Sequence, residues 1–258
     1  MAPSLEYVID LARKAGEILR QGFTEPHQIE YKGINDIVTE ADRQSESCIL
    51  GQIRGDFPQH TIVSEESGLL SGTDHDTWYI DPLDGTTNFA HGVPIYSVSI
   101  AYARNGRLVL GVVYDPMQNE CFSAELGKGA WLNGKPIRVS QETDLNKSLL
   151  VTGFPASIRT SRVTNLDHFA WFSLHSMAVR RLGSAALDLV YVGAGRMDGY
   201  WETSIHSWDI AAGTLIVQEA GGLVTNLEGN PDFFKPPYNL IAATPGIHHF
   251  IVEGLNRK

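Results

Sequence analysis

The chain predicts a mixed α/β fold, on three observations. Apolar residues recur at helical spacing near the N-terminus. In the middle, two Asn-Gly pairs separate short apolar runs, the pattern of tight hairpins. Beyond about residue 144, strand-like runs and helix-like stretches alternate, which suggests a layered α/β half. No internal repeat or low-complexity linker divides the 258 residues. Two closely packed halves, 1–144 and 145–258, are expected in place of two independent domains.

Leu5, Val8, Ile9, Ala12, Ala15 and Leu19 trace one face of an opening helix. A second helix begins near Thr39, where Asp42 completes a capping-box-like pair. Its apolar line is Ala41, Cys48, Ile49 and Ile53, and Gly55 and Pro58 end it. The period then changes. Residues 61–64 and 78–81 are short apolar runs of strand type. Residues 97–103 and 107–114 flank Asn105-Gly106, and Asn133-Gly134 joins 130–132 to 137–139, so this region reads as an antiparallel meander. The second half carries a strand at 149–152 and a helical stretch from about 162 to 178. A helix at 184–192 leads to a strand at 197–202, and a helix at 207–220 leads to a strand at 222–225. A strand at 240–243 and a final helix complete the chain.

Lys and Arg number 20 against 30 Asp and Glu, a net charge of −10. Nucleic-acid binders neutralise phosphates with basic patches, and here no basic run exceeds Arg180-Arg181. The same excess disfavours an anionic membrane surface. No uninterrupted apolar stretch reaches the roughly 18 residues of a spanning helix. Cys48 and Cys121 cannot form a disulfide framework. Glu6 and Asp10 stand where a signal peptide would need an apolar core. A reduced, cytoplasmic setting is expected, with neither a membrane nor a nucleic acid as a direct partner.

The residues that carry chemistry are carboxylates at element ends. Trp78, Tyr79 and Ile80 run into Asp81, and Pro82 then denies the chain a ladder bond and forces a turn. Asp84 projects from that turn, and Gly85-Thr86-Thr87 reads as the entry to a helix. Two acids three apart across a tight turn can converge on one hard cation, because Mg²⁺ takes oxygen ligands. Gly85 lets backbone approach a ligand closely, and free N–H groups at a helix start suit an anion. The plainer alternative is Asp as turn former and helix cap. Ile62-Val63-Ser64 runs into Glu65-Glu66, adjacent acids pointing in different directions, so that one can face a site; a solvated loop is the alternative. Trp208-Asp209 opens a helix whose dipole also suits an acid, so capping is the alternative there. Three such clusters fit a shared metal centre better than three coincidences.

Together these segments form a pattern. Val38-Thr39-Glu40-Ala41-Asp42 is similar to a V-T-x-x-D element, and Ser64-Glu65-Glu66-Ser67 to a G-E-E-S element. Asp81-Pro82-Leu83-Asp84-Gly85-Thr86-Thr87-Asn88-Phe89 matches D-P-[IL]-D-G-T-T-N-F without departure. Trp208-Asp209-Ile210-Ala211-Ala212, followed by Glu219-Ala220-Gly221-Gly222, matches W-D-x-A-A…E-A-G-G. In this order the elements resemble the inositol monophosphatase family of Mg²⁺-dependent phosphatases over essentially the whole chain.

The resemblance implies a layered α-β-α-β-α sandwich, usually a homodimer and lithium-sensitive, that hydrolyses phosphate monoesters by metal-activated water. It implies two or three Mg²⁺ ions. Glu65, Asp81 and the carbonyl of Leu83 would hold the first; Asp81, Asp84 and Asp209 the second; Glu65 would also face a weaker third. Thr86 and Glu65 would orient the attacking water, with Asp42 supporting Thr86. The amides of Gly85 and Thr86 would hold phosphate. Neither cysteine lies in an acid cluster, which argues against a phosphocysteine route.

On the alcohol side, Gly183-Ser184-Ala185 is similar to the family's G-[ST]-A element. Glu202 is similar to a family acid that accepts hydrogen bonds from ring hydroxyls. With Asp84 and Asp209 these residues would contact a small phosphorylated polyol or sugar, such as an inositol phosphate. Residues 183–185 also read simply as a helix start capped by Ser184. Relatives that act on fructose 1,6-bisphosphate, 3′-phosphoadenosine 5′-phosphate or histidinol phosphate keep those substrates as alternatives. A second phosphate would need cations such as Arg159, Arg162, Arg180 or Arg181, for which surface solvation is an equal explanation. An alternative of another class is a regulatory protein that keeps the fold and binds the transcription machinery. Retained buried acids argue against a purely non-catalytic role, because unused they are costly. His206, beside the Trp208-Asp209 pair, is expected to pack and not to ligate.

Overall fold

The computed structural model describes residues 2–24, 29–31, 37–155, 158–159 and 164–257. Helix α1 (Leu5–Gly22) starts at Ser4, whose hydroxyl accepts the Tyr7 N–H. Strands β1 (Ile29–Tyr31) and β2 (Ile37–Thr39) pair as a small antiparallel ribbon. Helix α2 (Glu40–Asp56) begins at the expected capping box, in which Asp42 accepts the Thr39 N–H. Then follow β3 (Thr61–Ser64), β4 (Gly68–Leu70), β5 (Asp76–Asp84) and the short helix α3 (Thr86–Ala90). The meander is β6 (Ser97–Arg104), β7 (Arg107–Asp115), β8 (Glu120–Glu125), β9 (Gly129–Leu132) and β10 (Lys135–Pro136). These strands form one eight-stranded sheet in the order β10-β9-β8-β7-β6-β5-β3-β4, antiparallel except for β3 beside β5. Both Asn-Gly pairs sit at positive φ in both residues, as a type I′ turn requires.

The second half contains β11 (Leu149–Thr152), α4 (Leu166–His175), β12 (Ala178–Arg180), α5 (Ala185–Gly193), β13 (Gly199–Ile205), α6 (Ser207–Glu219), β14 (Leu223–Thr225), β15 (Tyr238–Ala243) and α7 (Pro245–Leu255). Its five strands form a mixed sheet in the order β12-β11-β13-β15-β14.

Five layers result. Helices α1 and α2 cover one face of the large sheet, through Val8, Leu11, Leu19 and Ile49 against Trp78, Ile100 and Val112. Helices α5 and α6 cover the other face, where Leu187, Val190 and Leu215 meet Val113, Phe122 and Ala124. The same two helices turn Leu189, Ile210 and Val217 to the smaller sheet. Helices α4 and α7 close its far side around Trp201 and Ile241. The fold is therefore the expected α-β-α-β-α sandwich. Among the described residues no helix is long and apolar enough to cross a membrane.

Several boundaries differ from expectation. Residues 137–139 are not a strand: the Ile137 N–H still donates to the Ala130 carbonyl (3.0 Å), but the Val139 N–H then leaves the sheet for the carbonyl of Ala220 (3.2 Å). The helical stretch expected at 162–178 covers only 166–175, and 178–180 pairs with β11 as a parallel strand. Position 162 lies outside the described residues. The strand expected at 197–202 runs over 199–205. Strands β4, β8 and β12 carry no period long enough to signal them.

The middle layer depends on one close approach. A Cβ at Gly111 on β7 would lie 2.8 Å from the carbonyl oxygen of Ala212 on α6. Backbone cannot yield there as a flexible side chain would. Gly111→Ala is expected to lower unfolding free energy by about 1–3 kcal/mol, read by urea unfolding at unchanged m-value. A change below about 0.5 kcal/mol would show that α6 can lift from the sheet at little cost.

Candidate metal and phosphate site

The acids of β5 meet because the strand is irregular. Asp81 lies opposite Ser99 and Asp84 opposite Ser97, so four residues on β5 span three on β6. The extra residue turns both carboxylates to one face of the sheet, where alternation alone would set them on opposite faces. Pro82 suits the irregularity because it has no N–H to offer. Asp81 Oδ1 accepts the Leu83 N–H (3.0 Å), and Ser45 on α2 donates to the Pro82 carbonyl (2.8 Å).

Glu65 follows β3, the parallel neighbour of β5, and its N–H donates to the Ile80 carbonyl (3.1 Å). Its turn is held from α2 by buried Glu46, which accepts the Ser64 hydroxyl, the Ser67 N–H (3.0 Å) and the Ser67 hydroxyl (2.7 Å). Asp209 opens α6 and caps it by accepting the His206 N–H (2.9 Å). The Ser99 hydroxyl donates to the Trp208 carbonyl (3.2 Å) and ties this helix start to β6. Asp81, Asp84 and Asp209 each bring a carboxylate oxygen within 4.8 Å of the others. With Glu65, Leu83, Gly85 and Thr86 they line a cavity of about 180 Å³. Asp209 is thus both a helix cap and a member of the acid cluster.

The electrostatics show why a cation fits. Burial first, then the charges of Glu65, Asp84 and Asp209, push Asp81 well above the usual carboxylate range. Burial, then Asp209, raise Asp84 to about 7, opposed by hydrogen bonds from Ser184, Ala186 and Ala185. Acids this close cannot all ionise in a buried site without a compensating positive charge. An all-oxygen donor set matches a hard cation such as Mg²⁺.

Beside this cluster, the Thr86 hydroxyl donates to Asp42 Oδ1 (2.9 Å), with the Leu83 carbonyl as a second acceptor at 3.0 Å. The other oxygen of Asp42 accepts the Thr39 N–H (2.8 Å) and hydroxyl, so the carboxylate cannot turn. Gly85 sits at φ 99°, and a Cβ there would lie 3.0 Å from the Ile95 carbonyl oxygen. Glycine is therefore required twice at this position, by conformation and by space. Both amide hydrogens of Asn88 are donated, to the carbonyls of Ile95 and Leu182 at 2.8 Å each. That amide fastens the second half against α3.

Gly183, Ser184, Ala185 and Glu202 line a second cavity of about 180 Å³ that shares Asp84, Gly183 and Asp209 with the first. Ser184 is the N-cap of α5, accepting the Leu187 N–H (3.3 Å), and it also donates to Asp84 (2.6 Å). The cap reading and the site reading both hold for it. Glu202 accepts the Tyr200 hydroxyl (2.6 Å). Arg181 borders this cavity, Arg159 and Arg180 are exposed, and Arg162 lies outside the described residues. His206 stacks on Trp208, with centroids 4.6 Å apart. Glu219 lies away from both cavities and accepts the Gly127 and Gly129 N–H groups of the β8–β9 turn. Cys121 is buried in the outer core, its thiol pushed up to about 11 by burial.

Glu46, Gly153 and Asp188 had no role in the sequence reading. Glu46 stands four residues after Asp42 and one after Ser45, so three polar groups share one helix face, a signal that was present. A Cβ on Gly153 would lie 2.1 Å from a Glu202 carboxylate oxygen, a fit that only the fold reveals. A second cluster, His60 with Asp74 and Asp76, does not suit a metal. His60 Nδ1 accepts the Trp78 indole N–H (3.0 Å), so the ring proton is on Nε2, facing the acids at 3.6 and 3.4 Å. A protonated nitrogen is a donor and not a ligand.

The model of the inositol monophosphatase family matches residues 1–257. The Nus factor SuhB of Escherichia coli K12 is 45% identical over 250 residues, covering 96% of this chain and 93% of that protein. The crystal structure of extragenic suppressor protein suhB from Bartonella henselae superposes with a TM-score of 0.90 at 38% identity, covering 97% of each chain. An inositol monophosphatase from Anabaena superposes with a TM-score of 0.86 at 41% identity, covering 97% of this chain and 96% of that one.

If the acid cluster holds Mg²⁺, adding the ion raises the thermal unfolding midpoint, and by more at about pH 8 than at about pH 6. The sign follows from the raised Asp81 and Asp84: at low pH they bind protons, which the ion must displace. A larger stabilisation at the lower pH would refute the acids as ligands. Glu46→Gln is expected to weaken the apparent Mg²⁺ affinity about 10–100-fold, measured by the same titration.

Proposed function

We propose that this chain, which belongs to the inositol monophosphatase family, is a Mg²⁺-dependent phosphatase of a polyol or sugar monophosphate such as an inositol phosphate. One observation carries the reading. Carboxylates from three separate segments meet in a cavity beside the Thr86–Asp42 pair, and that cavity continues into a second one lined by further acids.

In this reading Glu65, Asp81 and the Leu83 carbonyl hold one ion, and Asp81, Asp84 and Asp209 a second; Glu65 faces a weaker third. The chemistry the ions supply when bound is a lowered pKa for the attacking water and charge neutralisation at the phosphoryl and leaving oxygens. The chain's own groups do the rest. Because Asp42 takes the hydrogen of the Thr86 hydroxyl, that oxygen turns its lone pairs outward and accepts from the attacking water. Glu65 accepts the other proton of that water. The amides of Gly85 and Thr86 donate to the phosphate oxygens, without a basic side chain. Gly183, Ser184, Ala185 and Glu202 form the alcohol side, with Asp84 and Asp209 at its boundary.

The alcohol cavity favours an uncharged polyol over a second phosphate. Its walls carry the buried carboxyl groups of Glu202 and Asp188, both pushed by burial toward the protonated form, so neither supplies the positive charge a second phosphate needs; of Arg159, Arg180 and Arg181, only Arg181 borders it. A homodimer belongs to the same reading. Leu166, Leu174 and Met177, on α4 and just after it, are 51%, 82% and 65% exposed, an apolar surface that suits self-association.

A second reading, transcription-machinery binding, is favoured by the name of the Escherichia coli relative, a Nus factor. It gives the acid cluster no work. The deciding experiment is phosphate release with Mg²⁺ from inositol 1-phosphate, fructose 1,6-bisphosphate, 3′-phosphoadenosine 5′-phosphate and histidinol phosphate. The highest kcat/KM is expected for inositol 1-phosphate, and millimolar lithium is expected to inhibit. Asp84→Asn is expected to lower kcat by about 100-fold or more. Absence of release from all four under saturating Mg²⁺ would leave the binding reading in its place.

A further inference from the structure

The alcohol cavity contains a carboxyl group that the proposed chemistry does not use. Asp188 lies on the buried side of α5 and is 1% exposed. Its Oδ1 has no hydrogen-bond partner. It borders the same cavity as Glu202, Gly153 and Arg181.

Asp188 stands in the first turn of α5, where the helix dipole suits an acid, but no N–H group of that turn needs its oxygens. The start of α5 is already capped, by Ser184 and by the Asp84 carboxylate, which accepts the Ala185 and Ala186 N–H groups. The neighbours Leu187, Leu189 and Val190 are fully buried and apolar. An unpaired polar oxygen in such surroundings costs stability, and an apolar side chain of similar size would remove that cost. A group kept at a cost beside a cavity points to what enters the cavity.

The geometry points to Asp188 as a specificity-determining residue: with Glu202 it makes a two-carboxyl end wall that receives hydroxyl groups of the leaving alcohol. The class of substrate it selects is a monophosphate whose alcohol carries at least two further hydroxyls. This assignment rests on the phosphatase reading above. Carboxyl oxygens accept from hydroxyls, and Gly153, having no Cβ, leaves room for the Glu202 carboxylate to stand at this wall. An alcohol without further hydroxyls leaves both carboxyls unpaired, and a site built for hydrogen bonds rejects such an analogue strongly.

The test compares inositol 1-phosphate with cyclohexyl phosphate, the same ring without hydroxyls, in wild type, Asp188→Asn and Asp188→Leu, all with Mg²⁺. The readout is the ratio of the two kcat/KM values. Wild type is expected to prefer the polyol. Asp188→Leu is expected to lower that ratio about 10–100-fold, while Asp188→Asn, which keeps a donor and an acceptor, lowers it less. The Leu variant is also expected to unfold about 2–4 °C higher, because the unpaired group is gone. Asp188→Ala gives the same ratio measurement where the Leu variant does not fold. An unchanged ratio, or equal loss on both substrates, overturns the assignment and leaves the phosphatase reading standing. Wild-type protein that releases phosphate from neither compound overturns both.

Discussion

Mutual repulsion among buried carboxylates is the constraint around which the molecule is arranged. Asp81, Asp84 and Asp209 lie within a few ångströms of one another, with Glu65 beside them. Left alone, such a cluster would favour protonation or swelling. The fold answers with hydrogen bonds that fix each acid before any ion arrives. Leu83 holds Asp81, the start of α5 holds Asp84, and His206 holds Asp209. Each bond uses part of the oxygen capacity of its carboxylate, and the rest is directed to the common cavity. Local rules for turns and caps therefore coincide with the requirements of a cation site.

The supports come from both halves of the chain. Asp84 ends a strand of the large sheet, yet it caps a helix of the second half. Asn88 reaches from the short helix after that strand to the carbonyl of Leu182. The two cavities meet along this seam, with Asp84, Gly183 and Asp209 common to both. A phosphoryl group and its alcohol would thus be held by residues whose relative position is set by the middle layer. Misplacement by about 1 Å costs such a site heavily, and the close contact of Gly111 with α6 is one device that prevents it.

Much of this was legible in the residues, for identifiable reasons. The elements could be read because α1 repeats at the helical period and the Asn-Gly pairs admit few conformations, whereas the order of the layers came only with the family resemblance. The acid segments could be read because each is short and contiguous, and because each ends an element. What escaped was long-range. Strands β4, β8 and β12 are short and become strands through their neighbours. The expected strand at 137–139 fails because Val139 finds its acceptor at Ala220, 81 positions away in sequence. Gly153 and Asp188 gain meaning only from Glu202, which no local spacing connects to them. The motif acid Glu219 was legible as a pattern but not as a turn support.

The shared middle layer has a consequence during synthesis. The large sheet is complete by residue 136, but the helices that cover its inner face span 185–193 and 207–219. A growing chain must expose that face until α6 ends at residue 219, 83 residues after the sheet ends at 136, the interval in which a nascent sheet is most prone to pairing with strangers. Where it is fully buried the inner face is rich in small residues: Ala101, Gly111, Ala124 and Ala130 stand beside the larger Val113 and Phe122, with Tyr79, Leu108 and Leu132 only partly buried around them. Small residues chosen for close helix packing thereby also limit how sticky the unfinished protein is. The same economy of side-chain volume serves the finished core and the half-made one.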